Sequence, residues 1–255
     1  MHRAPGRTRL RAIRGGLDRR PTVLDAVADY AAERGLPESD EERVAVEVAL
    51  ELIARFFELG RPSRSRGGED PAAGRVEAER LVPALGPCVR LFPYANIVRA
   101  SWILAFGREA LSLARYCRRR GWCDAEALRR FEAVLRGAGA TLRRFHALQQ
   151  AIERFPAPPV LAGEEEDLFE GRYRILGLGA DGAALAAGEG VVVAPVRLPA
   201  PARPLFKTGR YVSMLITEGR GGWWPLATTL PAPPSLADRL LSRAEAALAR
   251  EGERG

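Results

Sequence analysis

FPAPPVLAGEEED, running from Phe155 to Asp167, is the stretch that divides the chain. Three prolines stiffen its first half and four successive acids close it, which is the composition of an interdomain linker over residues 156–168. Upstream of it, apolar residues recur every three to four positions. Downstream they come in short runs separated by glycine-rich turns. The change of period predicts an α+β chain: an N-terminal antiparallel all-α helical bundle over residues 21–155, a small SH3-like or OB-like β-barrel over 169–232, and a C-terminal helix over 235–250. A length of 255 residues suits one medium and one small domain.

Working upstream, Pro21 to Arg34 carries Val23, Leu24, Val27 and Tyr30 at helical spacing, with Gly35 to end it. Ser39 and Glu42 form a capping box for a second helix, whose inward face is expected at Val44, Val48, Leu52, Ile53, Phe56 and Phe57. Residues 60–74 (GRPSRSRGGEDPAAG) read as a flexible surface loop. A short helix is expected over Arg75 to Leu85, and Gly86 to Pro93 should break it. Asn96 is placed to cap a long helix reaching Arg119, and Asp124 to cap the next. Gly137 and Gly139 should separate that one from a last helix bearing Leu142, Phe145, Leu148 and Ile152. Leu113 to Leu135 faintly resembles one tetratricopeptide hairpin, but no second copy follows at that family's interval.

Working downstream, strand-like runs occur at Arg172 to Leu178, Ala183 to Ala187, Val191 to Leu198, Tyr211 to Thr217 and Trp223 to Leu230. Turns are expected at Asp181-Gly182, at Gly188 to Gly190 and in the sequence EGRGG. Ser235 would cap the terminal helix, with Leu236, Leu240, Leu241, Ala244 and Leu248 on its apolar face.

The net charge is +7 and the isoelectric point about 10.0. Only Lys207 of the 39 basic residues is a lysine, and with the abundance of Ala, Gly and Pro this points to GC-rich coding as one source of the basicity. Its distribution says more than its total: residues 1–20 carry +6, 21–60 carry −7, 61–155 carry +9 and 156–170 carry −5. Three cysteines without CxxC pairing fit a reducing compartment, so a cytoplasmic location is expected. No run approaches the roughly 20 apolar residues of a membrane span. The basic arm over residues 1–20 lacks the apolar centre of a secretory signal; in a eukaryotic source it would read as a mitochondrial presequence leading to the matrix.

Few residues invite chemistry. GLGADG, Gly177 to Gly182, fits the GxGxxG loop that cradles a dinucleotide, and the longer GRYRILGLGADGAALAA resembles the glycine-rich opening of bacterial protein kinases. That resemblance implies a phosphate-covering loop. VVVAPVRL after it lacks the strand lysine, and neither an HRD loop nor a DFG motif follows, so a β-hairpin turn is the expected structure. His2 and His146 are the only histidines, and no metal or cofactor site can be assembled; Glu47 and Glu51 share a helix face but have no histidine beside them. Cys123 follows three arginines, which would lower its thiol pKa, yet neither it nor His146 has an evident catalytic partner.

The constellation that stands out is Arg115, Arg118, Arg119, Arg120, Arg129, Arg130, Arg136, Arg143 and Arg144, with Tyr116 and Trp122 interleaved. Guanidinium forks suit phosphate oxygens and aromatic rings suit bases. Adjacent Trp223 and Trp224 should point to opposite faces of a strand, one filling the core and the other exposed for docking unless the terminal helix covers it. The expectation is a non-enzymatic binding protein that contacts DNA or RNA through the arginine-rich helices, with a protein partner at the barrel. The alternative is a protein-interaction adaptor whose basic charge reflects codon usage, and an enzyme using Cys123 or His146 comes last.

Overall fold

The computed structural model describes residues 22–35, 37–59, 80–156, 168–219 and 221–240. The basic arm, residues 60–79, most of the linker and residues 241–250 of the terminal helix lie outside them, and His2 with them. Five helices come first: α1 (Val23–Arg34), α2 (Asp40–Leu59), α3 (Leu81–Ala95), α4 (Ala100–Arg119) and α5 (Ala125–Glu153). Five strands follow: β1 (Leu168–Leu178), β2 (Ala183–Ala186), β3 (Val192–Val196), β4 (Tyr211–Gly219) and β5 (Gly222–Thr228). A sixth helix, α6, spans 234–240 at the end of the described chain. The protein is therefore α+β.

Local chemistry sets the helix ends. Thr22 and Asp25 form a reciprocal capping box on α1, and Gly35 closes it at a φ of 72°. Asp124 accepts the Ala127 N–H at 2.6 Å and starts α5 as expected. The long helix ending at Arg119 starts instead at Ala100, because Asn96 turns back to the helix before it, donating to Phe92 O at 3.1 Å. The first amide of α4 is held by Glu153 Oε1 at 2.8 Å, a carboxylate from the far end of α5.

Three helical expectations are corrected. α3 runs straight through Gly86, Pro87 and Pro93, with eight residues of this one helix buried. Burial of that apolar surface outweighs the missing amides, and Gly86 lacks the Cβ that would press on the Pro87 ring. Gly86 also faces α5, since a Cβ there would lie 3.6 Å from Val134. Gly137 and Gly139 do not divide α5, which is continuous over 29 residues because Phe131, Ala138, Leu142 and Phe145 keep one buried stripe across them. On α2 the inward face is Ala45, Val46, Ala49, Leu50, Ile53 and Phe57, with Val44 left 45% exposed. Val44 and Val48 lie one turn apart on the solvent side of this face, while Val46 stays inside.

The sheet follows the expected strands closely. β1 pairs antiparallel with both β2 and β4, β2 with β3, and β4 with β5; β3 meets β5 in parallel at Val196 and Trp223. The order is β1-β2-β3-β5-β4, with β4 back on β1. The GLGADG segment is the β1–β2 turn, closed by Gly179 N–H to Gly182 O at 2.8 Å, and strand β2 follows it directly in place of a crossover helix. Gly182 has a φ of 151°, and a Cβ there would run into the Val196 carbonyl, so glycine is required by the close approach of β3.

The helices and the sheet share one apolar core. Two orphan carbonyls mark the joint. Pro93 O, in the last turn of α3, accepts Leu230 N–H at 2.8 Å. Thr228 O, at the end of β5, accepts from the buried Gln149 Nε2 of α5 at 2.6 Å. α5 thus lies along β5, where the β3 pairing has already ended.

Candidate functional site

The arginines of α4 and α5 were expected to form one surface. Helix geometry divides them into two. On α5 successive residues turn by 100°, so Arg129, Arg136 and Arg143 fall within about 40° of one another, and Arg130 and Arg144 lie about 100° round with Gly137. The contacts fix which flank is which. Arg115 of α4 reaches Glu132 at 3.2 Å and Gly107 approaches Leu142, so the first stripe borders α4; Val134 touches Gly86, so the second borders α3.

Pairing then separates structural arginines from free ones. Arg120 binds Glu33 of α1 at 2.7 Å and donates to Tyr116 Oη at 3.0 Å, and Arg119 lies 3.6 Å from the same carboxylate. Both guanidinium groups stack on the Tyr116 ring. This pair fastens α1 to the end of α4. Arg118 donates to Cys123 O at 3.5 Å, while Arg129 and Arg130 share Glu126, each at 2.8 Å. Glu126 is held below its ordinary carboxyl pKa by those two hydrogen bonds. Arg136, Arg143 and Arg144 are exposed and have no acidic partner among the described residues; Arg136 only folds back on Glu132 O at 3.4 Å. Five of the nine arginines thus share three carboxylates, Glu33, Glu126 and Glu132.

Two further arginines belong to this surface and were missed. Arg108 is exposed on α4, seven residues before Arg115 and hence on the same face, without an acidic partner among the described residues. Arg154, the exposed C-cap of α5, extends the Arg129, Arg136 and Arg143 stripe to a length of about 38 Å. The signal for Arg108 was its seven-residue spacing from Arg115, hidden by its isolation from the arginine-dense stretches.

The interleaved aromatics do not serve as expected. Tyr116 is 1% exposed, so its ring cannot receive a base. It occupies the core because it sits on the inward side of α4, edge-on to Tyr30 and Trp122. Trp122 is half-buried in that same cluster. Trp223 and Trp224 are also half-buried, and neither fills the centre of the sheet. β5 begins at the rim, where each ring finds its own aromatic cover: Phe169 on Trp223 and Phe155 on Trp224. Among the described residues, the cover over Trp224 is Phe155, two residues past the end of α5, together with Arg197 over the ring. Arg154, Phe155, Trp224 and Arg197 bring the arginine stripe onto the edge of the sheet.

The opposite side of the helical part is acidic. α4 packs on both α2 and α5, which sit diagonally across the bundle. The outer face of α2 presents Asp40, Glu41, Glu47 and Glu51, relieved only by Arg43 and Arg55. The alternation of charge along the chain has become a polarity across the fold.

The remaining candidates offer little reactivity. Burial is the main reason the Cys123 thiol is raised above its ordinary pKa, reversing the sequence expectation, since Arg118 lowers it by less. Cys117 is pushed up to about 12, chiefly by burial. His146 is half-buried on α5 and makes no hydrogen bond among the described residues. No group of metal-binding side chains occurs among the described residues, and no described helix is long and apolar enough to cross a membrane. A cleft of about 280 Å³ lies over Tyr30, Arg34, Ser112 and Arg119, but Glu33, Glu109 and Glu132 balance its three arginines. No protein-family model, curated protein or solved structure matches the chain, so its function is argued from the site alone.

Proposed function

We propose that the protein binds nucleic acid without acting on it, holding phosphates along the α4–α5 face. The observation that carries this is the set of exposed arginines without acidic partners, Arg108, Arg136 and Arg143, in two adjacent stripes backed by an acidic face on the other side. Cations left unpaired on one face attract a polyanion and orient it. The aromatic side chains near them are buried or half-buried, which favours contact with the phosphates of a duplex over base stacking along a single strand. Such binding is independent of sequence. We read the five-stranded sheet as a small barrel of the SH3-like or OB-like kind, which adds a second contact at Arg154, Arg197 and Trp224.

Arg118, Arg119 and Arg120 are poor residues for a test, because Arg119 and Arg120 also fasten α1. The variant Arg136→Glu/Arg143→Glu touches no other side chain by an ion pair and keeps the fold. It is expected to lower affinity for a duplex at about 50 mM salt at least tenfold, as two attractive contacts become repulsive. Equal affinity of variant and wild type in a fluorescence anisotropy titration would remove these residues from the interface.

A further inference from the structure

On its other flank α5 borders a groove of about 590 Å³ shared with α3, whose floor includes Ala133, Gly137 and Ala138 and whose α3 wall includes Arg90 and Tyr94. Helix geometry places Arg130 and Arg144 in line with Gly137, about 10.5 Å to either side. Arg90 and Arg144 are exposed and have no acidic partner among the described residues. A groove with a small-residue floor and cationic rim fits an acidic helix that carries apolar residues between its acids.

The chain contains such a helix. The solvent face of α2 sets Val44, 45% exposed, and half-buried Val48 among Asp40, Glu47 and Glu51. Asp40 to Glu51 spans about 16 Å, against about 21 Å from Arg130 to Arg144. Within one copy the two surfaces face apart, because α2 and α5 are diagonal. We propose that α2 of one copy docks in the α3–α5 groove of the next, with Val44 and Val48 over Gly137 and with Glu47 and Glu51 against Arg90 and Arg144. Since the two surfaces lie on opposite sides of the molecule, the contact is heterologous: copies add head to tail and do not close as a two-fold pair. The proposal stands apart from the nucleic-acid reading, because the groove lies about 100° round α5 from the Arg129, Arg136 and Arg143 stripe.

The test is sedimentation equilibrium of the full chain after nuclease treatment. At about 50 mM salt the average mass is expected to rise from one chain of 27.8 kDa past two chains between about 5 and 100 μM, and to return to one chain at about 500 mM. Glu47→Arg/Glu51→Arg and Arg90→Glu/Arg144→Glu change only exposed side chains; each alone should remain a monomer, and an equal mixture should associate again, because each supplies the charge its counterpart needs. A wild type of one-chain mass throughout would overturn the proposal. So would either variant associating like the wild type, or a mixture no heavier than its components.

Discussion

Glu109, 2% exposed on α4, would be a costly residue to bury alone. Arg34 answers it with two contacts, Nε to Oε2 at 2.8 Å and Nη2 to Oε1 at 2.9 Å, and Tyr30 donates its hydroxyl at 2.7 Å. Burial first, then the hydrogen bond to Glu109, raises the Tyr30 phenol to about 12 from an ordinary value near 10. The fold therefore favours the neutral phenol: its contribution is complete below pH 10 and is lost as the pH rises toward 12. The loss across that interval is about 2–3 kcal/mol for Tyr30. Tyr30→Phe is expected to cost about 1–3 kcal/mol at neutral pH by taking a donor from a buried carboxylate. It should also flatten the fall in stability above pH 10, apart from the shares of Cys117, Cys123, Tyr116 and Tyr173, which burial raises in the same direction. Urea denaturation at several pH values checks both, and identical alkaline slopes for variant and wild type would contradict the assignment. None of this cluster was legible in the sequence, because Tyr30 and Glu109 are joined only by the packing of α1 on α4.

Among elements, the strands were the most legible. Turns such as Asp181-Gly182 leave the backbone few choices, and short alternating runs have one way to bury their apolar face. The helices misled where a local rule met a strong burial term. Prolines at 87 and 93 and glycines at 137 and 139 argued for breaks, yet the apolar residues around them continue one buried stripe. The cost of that override should still be measurable. Pro87 is exposed inside α3, so Pro87→Ala restores an amide without disturbing the core and should stabilise the protein by about 1–2 kcal/mol, seen as a rise in Tm of a few degrees. No change in Tm would mean that α3 is already distorted to suit the ring.

At the scale of the molecule, the last long helix ends at Glu153 and the first strand begins at Leu168, and the composition of the chain between them carried no sign of how closely the two regions pack. Gln149 is 1% exposed and bonds across the joint to Thr228 O. Gln149→Leu leaves that carbonyl without its donor and is expected to cost about 1–3 kcal/mol in chemical denaturation. A neutral result would show that the joint does not depend on this bond. The arginine-rich face was legible as composition, with its charges counted from the sequence alone. Its division was not: Glu126 takes Arg129 and Arg130 within α5, but which arginines are consumed by Glu33 and Glu132 depends on the packing of α1, α4 and α5. What remains unpaired is what the functional proposal uses. Its most direct test is the salt dependence of wild-type binding to a labelled duplex of about 25 base pairs, followed by fluorescence anisotropy from about 50 to 300 mM salt. About four or five phosphate contacts predict a log–log slope of roughly −4. Absence of binding at the lowest salt, or a slope near zero, would contradict the proposal.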